Sequence, residues 1–342
     1  MANGDTTASR LGQIDASGDA LAIFLKKFSG EVLRTFDERN IMGDKCMTKT
    51  IESGKSAQFP VTGVASASYH TPGENIADAG NSYLSTIRHA EKIISIDPLL
   101  VSTTFISNLD EAMNHYDARS VYSHEIGHQL AIRADTVRIK THIAAARASA
   151  NYTGANVGDQ IDVSAESTTA DGTETYTAAN LQASLFLAAE KMDDNDVPDD
   201  GMRFAILSPT DYYLLVNAGI ATSPINQDVG GQGSIAEGTI RQVAGINIFK
   251  STHIPTTDLS ATSTGDGASN NDVFGGSGVG YNGDFSDTVG IVSHPSAIGC
   301  VKLLDLAVET EYKIELQGTL LVAKYAMGHG VLRPECAFEL VK

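Results

Sequence analysis

Residues 123–135, SHEIGHQLAIRAD, contain His124-Glu125-Ile126-Gly127-His128, a match to the pattern H-E-x-x-H. On a helix, histidines four apart share one face, where two imidazoles can bind zinc while the glutamate activates water. A catalytic zinc also needs a third protein ligand and an open coordination position. The extended pattern with a third histidine requires Gly at 131 and His at 134, and this chain has Ala131 and Ala134. The next acids after Asp135 are Asp159, Asp162 and Glu166, in a loop-rich segment. His124, His128, Ala131 and Asp135 share a face, and Glu125 is within reach of His128 at i, i+3. A zinc-dependent metallopeptidase using His124, Glu125 and His128 is therefore an alternative function, short of one ligand.

Helical spacing extends well beyond the motif. One stripe runs Leu109, Met113, Tyr116, Ser120, Ser123, Gly127, Leu130, Ala134, Val137, Thr141, Ala144 and Ala148. The period predicts a helix over 108–148, capped by Ser107 or Asn108, with Asp110 and Glu111 in its first turn. Unbroken, it is about 60 Å long at 1.5 Å per residue, and Gly127 is where a bend is expected. The middle of the stripe is small, so the two histidines flank a close-packing face centred on Ser123 and Gly127. Read this way, the stretch belongs to a long structural helix.

The 342 residues suffice for one large domain or two smaller ones. No apolar run approaches the roughly 20 residues of a membrane span. The opening MANGDTTASR has neither a cationic start nor an apolar segment, so no signal peptide is expected. Cys46, Cys300 and Cys336 lack metal-ligand spacing and read as free thiols in a reducing compartment. The net charge of −18 is spread along the chain, and no Lys/Arg block appears. Such a surface repels nucleic acid, which argues against direct recognition of it.

Residues 1–18 read as a mobile polar arm and 20–36 (ALAIFLKKFSGEVLRTF) as an amphipathic helix. Extended patterns follow, with turn signals at Ser53-Gly54-Lys55 and at Tyr69–Glu74 and a strand over 89–106. A hairpin this long needs a surface to lie on, because a two-stranded ribbon is marginal alone. It reads as an arm built to pack on a neighbouring subunit. The polar stretch 151–176 marks a domain boundary. Beyond it, Leu181, Leu185, Ala188 and Met192 form a helical stripe, MRFAILSP (202–209) a buried strand, and Ser208 caps a helix with Pro209 at its first position. Residues 239–250 are strand-like around Gly245, and 263–284 form a glycine-rich loop without the G-K-S/T of a phosphate loop. The C-terminal part, from TVGIVSHP (288–295), reads as strands VKLLDLAVE, YKIEL, TLLVAKYAM and CAFEL. There is no G-x-S-x-G, and His329 within Gly328-His329-Gly330 reads as a turn residue rather than a base. No catalytic residue, metal or cofactor is expected.

Several stretches together resemble the major capsid protein of T7-like short-tailed double-stranded DNA phages and their cyanophage relatives. They are ALAIFLKKFSGEVLRTF, IESGKSAQFPVTG (51–63), PGENI (72–76), HAEKIISIDPLL (89–100), DEAMNHYDARSVY (110–122), AIGCVKLLDLAVE (297–309) and VAKYAMGHGVLRPECA (322–337). The resemblance covers both ends of the chain in order and is weakest over about 150–200 and 255–285.

It implies an α+β, HK97-like tailed-phage capsid fold. Mapped onto this sequence, that fold gives an N-terminal arm at 1–44 and an extended β-hairpin loop at 45–92. The peripheral domain is 93–176, with a spine helix at 108–148, and a mixed α/β axial domain spans 177–296. C-terminal strands at 297–342 return to the peripheral domain. The implied function is a structural shell subunit that self-assembles as hexamers and pentamers around phage DNA, without sequence-specific binding and with no membrane. Its implied partners are itself, a scaffolding protein during assembly and a portal protein at one vertex. Assembly in the bacterial host cytoplasm and residence in the virion follow, and no Lys–Asn crosslink is identified. Candidate inter-subunit contacts are Ser53, Gly54, Lys55, Phe59, Pro60, Pro72, Gly73 and Glu74. A cellular nanocompartment of the same fold is a further alternative.

Overall fold

The structure, a computed structural model, describes residues 41–342 apart from 64, 66, 78–82, 84–86, 88, 108, 110–117, 152–155, 165–175, 223–232, 235–238, 241, 261–270 and 275–279. The expected helix at 20–36, most of the arm at 1–44 and the helix-start residues Asn108, Asp110 and Glu111 lie outside the described residues. In chain order the strands and helices are β1 (Met47–Thr50), β2 (Ser56–Thr62), β3 (His89–Ser95), β4 (Leu100–Ser107), α1 (Ala118–Arg147) and β5 (Asp159–Asp162). Next come α2 (Ala178–Asp194), β6 (Phe204–Leu207), α3 (Pro209–Thr222), β7 (Gly233–Ser234), β8 (Thr239–Ile240), β9 (Gln242–Val243) and β10 (Ile246–Lys250). The last are β11 (Thr288–Ser293), β12 (Ile298–Lys313), β13 (Gly318–Val331) and β14 (Ala337–Val341).

Two compact units share this chain: a larger one of 40–100, 132–305 and 325–342, and a smaller one that includes 101–131 and 306–324. The larger unit is built on a six-stranded mixed sheet in the order β5-β14-β11-β6-β10-β9. β6 and β11 are buried at every position, as strands covered on both faces must be. Alternation sorts their side chains. Phe204, Ile206 and Ile291 join Met42, Ile139, Ile143 and Phe285 on one face, while Ala205, Leu207 and Val292 join the α2 stripe on the other. All four predicted α2 residues, Leu181, Leu185, Ala188 and Met192, are fully buried there. Each large apolar side chain so buried stabilises the fold by roughly 1.5–3 kcal/mol.

Local signals set where these elements start. Thr177 precedes α2, and its hydroxyl accepts from the Asn180 amide at 3.3 Å. The Ser208 hydroxyl accepts from the Asp211 amide at 3.2 Å and donates to the Asp211 carboxylate at 2.7 Å, capping α3 behind Pro209. α1 passes through Gly127 uninterrupted, and its last turns from Arg138 to Ala146 are buried all round, as a core helix is. The polar residues there are held individually. Asp135 accepts from the Ile41 amide at 3.0 Å, Arg138 reaches the Tyr325 hydroxyl at 3.3 Å, and His142 sits between the Ser293 hydroxyl (2.9 Å) and the Lys45 carbonyl (3.1 Å).

Several expectations are corrected. Residues 89–106 are two strands, because Asp97-Pro98 interrupts the ladder between β3 and β4. Residues 239–250 are not one strand around Gly245. Ala244 and Gly245, at φ 51° and 79°, make a two-residue turn between β9 and β10. VKLLDLAVE and the first residues of YKIEL are one long strand, β12, ending in a single 3-10 turn at Ile314–Leu316. His329 is no turn residue: it is buried within β13. β14 lies between β5 and β11 in the six-stranded sheet.

β12 and β13 also belong to a four-stranded sheet, order β1-β12-β13-β4. β1 runs parallel to the start of β12, Met47 opposite Gly299 through Thr50 opposite Lys302. Among the described residues β2 and β3 pair antiparallel with each other and with no other strand, Ser56 opposite Ser95 through Thr62 opposite His89. The root of this ribbon is fixed to the larger unit. Ala57, Ile94 and Ile96 pack with Val301, Ala326 and Leu332. The Ile96 amide donates to the Lys55 carbonyl at 2.9 Å and the Asp97 amide to the Met327 carbonyl at 3.1 Å. Asn271 brackets Ser95, its Oδ1 accepting from the amide at 2.9 Å and its Nδ2 donating to the carbonyl at 2.7 Å. The Tyr281 hydroxyl donates to Asp97 at 2.6 Å.

β13 comes so close to this root that a Cβ on Gly328 would lie 1.9 Å from the Ser95 carbonyl oxygen. Gly328→Ala is therefore expected to destabilise by more than about 3 kcal/mol, or to prevent soluble folding. Chemical denaturation of the purified chain checks this, and a wild-type midpoint would refute the close approach.

Burial pushes both His142 and His329 down to about 3. Their unfolded forms titrate near 6.5, so the stability tied to their neutral state is complete above that pH. It is lost as pH falls from about 6.5 towards 3, by up to about 1.4 kcal/mol per pH unit for each histidine. His142→Asn is expected to flatten the pH dependence of unfolding between pH 7 and 4.5 by about one proton, measured by urea titration at each pH.

Candidate functional site

The β2–β3 ribbon changes character along its length. At the root, Ala57 opposite Ile94 is buried. Further out, Pro60 opposite Glu91 and Thr62 opposite His89 have one or both partners exposed, and Ile93 turns its side chain to solvent. Ile76 and Ile87 in the connection are also exposed, and Tyr69 is 100% exposed. Among the described residues, then, the ribbon leaves the body of the larger unit with apolar side chains uncovered and no third strand beside it. Lone exposed apolar residues are ordinary, but here several lie along one ribbon with unpaired outer edges.

The far end has a shape of its own. Thr71-Pro72-Gly73-Glu74 is a turn closed by the Glu74 amide on the Thr71 carbonyl at 3.2 Å, with Gly73 at φ 98°. Proline followed by a left-handed glycine is the requirement of a type II turn. The Tyr83 hydroxyl accepts from the Thr71 amide at 3.0 Å and donates to the Glu74 carboxylate. His70 Nε2 meets the Glu74 carbonyl at 2.9 Å, and its ring lies 5.2 Å from that of Tyr83. An exposed loop so tied is preorganised, which lowers the ordering cost of docking.

The eight candidate contact residues fall into three groups. Ser53, Gly54 and Lys55 are an exposed turn between β1 and β2, with Lys55 held by its carbonyl at the root. Phe59 and Pro60 lie on β2, and Pro72, Gly73 and Glu74 form the turn at the far end. Phe59 differs from the rest. It is half-buried against the root cluster, beneath the Lys49 ammonium at 5.5 Å. The anchors Asp97, Asn271, Tyr281 and Gly328 had no signal at short range, since three of them come from segments far along the chain. Asp97-Pro98 and Gly328-His329-Gly330 were the visible traces.

The histidine motif sits apart from this ribbon on α1. Glu125 is exposed and accepts from Gln129 Nε2 at 2.9 Å, while His128 is half-buried. An added Cβ at Gly127 would meet nothing within 4 Å, so intrachain packing among the described residues does not demand a small residue there. Among the described residues, no three His, Cys, Asp or Glu side chains converge as metal ligands would. A short Asp–His–Ser run exists elsewhere, and its geometry is that of a cap. His294 Nδ1 accepts from the Ser296 amide at 3.3 Å and faces its hydroxyl at 2.7 Å, so Nε2–H points to Asp200 at 3.3 Å. This arrangement starts the 3-10 turn at Pro295–Ala297.

Comparison with known proteins places the chain among capsid proteins. Residues 58–341 match the family described as "Gp10A-like: Major capsid protein". The chain is 33% identical over 351 residues to the major capsid protein of Escherichia phage T7, covering 100% of this chain and 98% of that one. Among solved structures it is similar to the capsid of the cyanophage P-SCSP1u, at 41% identity and a TM-score of 0.76 over 98% of both chains. The mature capsid of bacteriophage PhiM1 shares the fold at 16% identity, with a TM-score of 0.67 over 90% of this chain and 88% of that one. The zinc alternative finds no support among these relatives. The chain belongs to the Gp10A-like major capsid proteins, has the HK97-like capsid fold, and is a structural component of an icosahedral virion shell.

Proposed function

We propose that the β2–β3 ribbon is the part of this subunit that holds neighbouring subunits together, within hexamers and pentamers that close the shell. The observation that carries this reading is a ribbon anchored firmly at one end and uncovered for the rest of its length. Its outer backbone edges offer hydrogen bonds, and Ile93, Ile87 and Tyr69 offer apolar area. Both are lost to water unless another chain covers them. In this reading 45–92 is the extended loop, 1–44 the arm, and α1 the spine of a peripheral domain at 93–176. An axial domain at 177–296 surrounds the capsomer centre, and the long pair β12–β13 completes the peripheral part. Ser53, Gly54, Lys55, Pro60, Pro72, Gly73 and Glu74 then touch the neighbour, while Phe59 braces the ribbon from its own side.

Scaffolding and portal proteins are the partners that assembly of such a shell calls for. The enclosed cargo is double-stranded DNA, and a net charge of −18 per chain keeps it from sticking to the wall as it slides in. The same charge makes subunits repel one another. Added salt screens that repulsion and is expected to speed assembly, read as light scattering against ionic strength.

Replacing 64–86 by a short Asn-Gly turn tests the ribbon directly. The shortened chain is expected to keep its helix content by circular dichroism. Its yield of closed shells, counted by electron microscopy and sedimentation, is expected to fall at least about tenfold, the equivalent of only 1.4 kcal/mol of contact energy. Shells at the wild-type yield would overturn the assignment.

A further inference from the structure

The ribbon of β2 and β3 has two outer edges, and its register decides which backbone groups each edge carries. In an antiparallel pair, residues that exchange both ladder hydrogen bonds alternate with residues whose N–H and C=O point away from the partner strand. The Ile96 amide donates to the Lys55 carbonyl at 2.9 Å, one step beyond the pairing of Ser56 with Ser95. The backbone groups of Ser56 and Ser95 therefore point outward. So do those of every second pair along the ribbon: Gln58 with Ile93, Pro60 with Glu91, and Thr62 with His89.

Three independent contacts fit this phase. Asn271 engages both outward groups of Ser95, its Oδ1 accepting at 2.9 Å and its Nδ2 donating at 2.7 Å. The Lys49 ammonium donates to the Gln58 carbonyl at 3.1 Å from outside the ladder. Pro60, which has no N–H, stands where the ladder needs no donor.

The two edges are unlike. On β2, Lys49 caps the Gln58 carbonyl and Pro60 withholds a donor, so an incoming strand meets a lysine side chain and a missing hydrogen bond. Lysine and proline are the residues that blunt an edge against pairing. On β3, Asn271 already does at Ser95 what one residue of a third strand does, using an acceptor and a donor together. Beyond it, the outward amides and carbonyls of His89, Glu91 and Ile93 have no partner among the described residues. The side chains of all three are exposed as well. One edge is closed and the other is left open.

We propose that the outer edge of β3 from His89 to Ile93, and not that of β2, receives an extended segment of a second copy of this chain as a third strand. This rests on the reading of the ribbon as the part that joins subunits, and it specifies how the joining is made. The shell is built from copies of this chain, so a second copy is the partner always at hand. Each outward residue of β3 offers one donor and one acceptor to the incoming backbone. The added strand also lays its own side chains beside Ile93 and Glu91, covering the apolar area that Ile93 leaves in water.

Proline substitution on the two edges of the full-length chain tests the assignment. At an outward position proline removes one outward N–H and no ladder bond. Glu91→Pro is expected to keep the wild-type helix content and urea midpoint. Its yield of closed shells is expected to fall at least about fivefold, the worth of one backbone hydrogen bond per subunit. Thr62→Pro, on the β2 edge, and Glu91→Gln, which keeps the N–H, are expected to assemble at the wild-type yield. Hydrogen exchange on the wild type needs no variant to fold. The amides of His89, Glu91 and Ile93 are expected to exchange fast in the free subunit and at least about tenfold more slowly in shells, with Thr62 fast in both. A wild-type shell yield from folded Glu91→Pro, an equal loss in Thr62→Pro, or unchanged exchange at 89, 91 and 93 on assembly would each overturn the proposal. If replacing 64–86 abolishes shells while Glu91→Pro leaves them intact, the ribbon joins subunits by another contact and the edge assignment alone fails.

Discussion

The Glu339 carboxylate, with no solvent exposure, stands on β14 inside the six-stranded sheet. Four donors make that position tenable. Arg147 reaches it through Nε and Nη2, each at 2.6 Å, Gln160 through Nε2 at 2.8 Å, and Thr288 through its hydroxyl at 2.6 Å. Arg147 ends α1, where a cation also suits the helix dipole, and the other two come from the strands on either side. A buried ion pair with all its lone pairs satisfied adds little net stability. Removing one partner, however, costs about 3–5 kcal/mol. The network therefore acts as a register pin: α1, β5, β11 and β14 are compatible with it in one arrangement only.

The ribbon root depends on that pinned framework. Tyr281 and Asn271 precede β11, the strand that Thr288 begins, and Gly328 lies on β13, which leads directly to β14. Slack at the root would multiply along the ribbon, so this stiffness fixes where its far end lies. The energetic division is plain. Apolar burial supplies most of the stability, through the clusters on both sheet faces, and polar networks decide which single packing is reached.

What the sequence disclosed follows the range of the interactions involved. The α2 stripe, the fully buried β6 and the Ser208–Pro209 start of α3 were legible, because period and capping are local. The β9–β10 turn was hidden because Ala244 occupies a left-handed position where Asn or Gly is usual. The break at Asp97-Pro98 was visible, yet apolar alternation on both sides masked it. His329 looked like a turn residue because glycines flank it. Gly328, however, is there to admit the Ser95 carbonyl, and that neighbour is more than two hundred residues away. The ribbon itself was legible as a hairpin without a partner. Its anchors were not, and neither was the parallel pairing of β1 with β12, which leaves no local trace.

The position of β14 bears on synthesis as well as stability. A polypeptide released by a stalled ribosome before residue 337 would carry β5 and β11 with their facing edges bare and Arg147 without its carboxylate. Such a fragment still contains the complete ribbon sequence, 56–95, but not the framework that aims it. Closure of the six-stranded sheet thus waits on the last residues of the chain to be made.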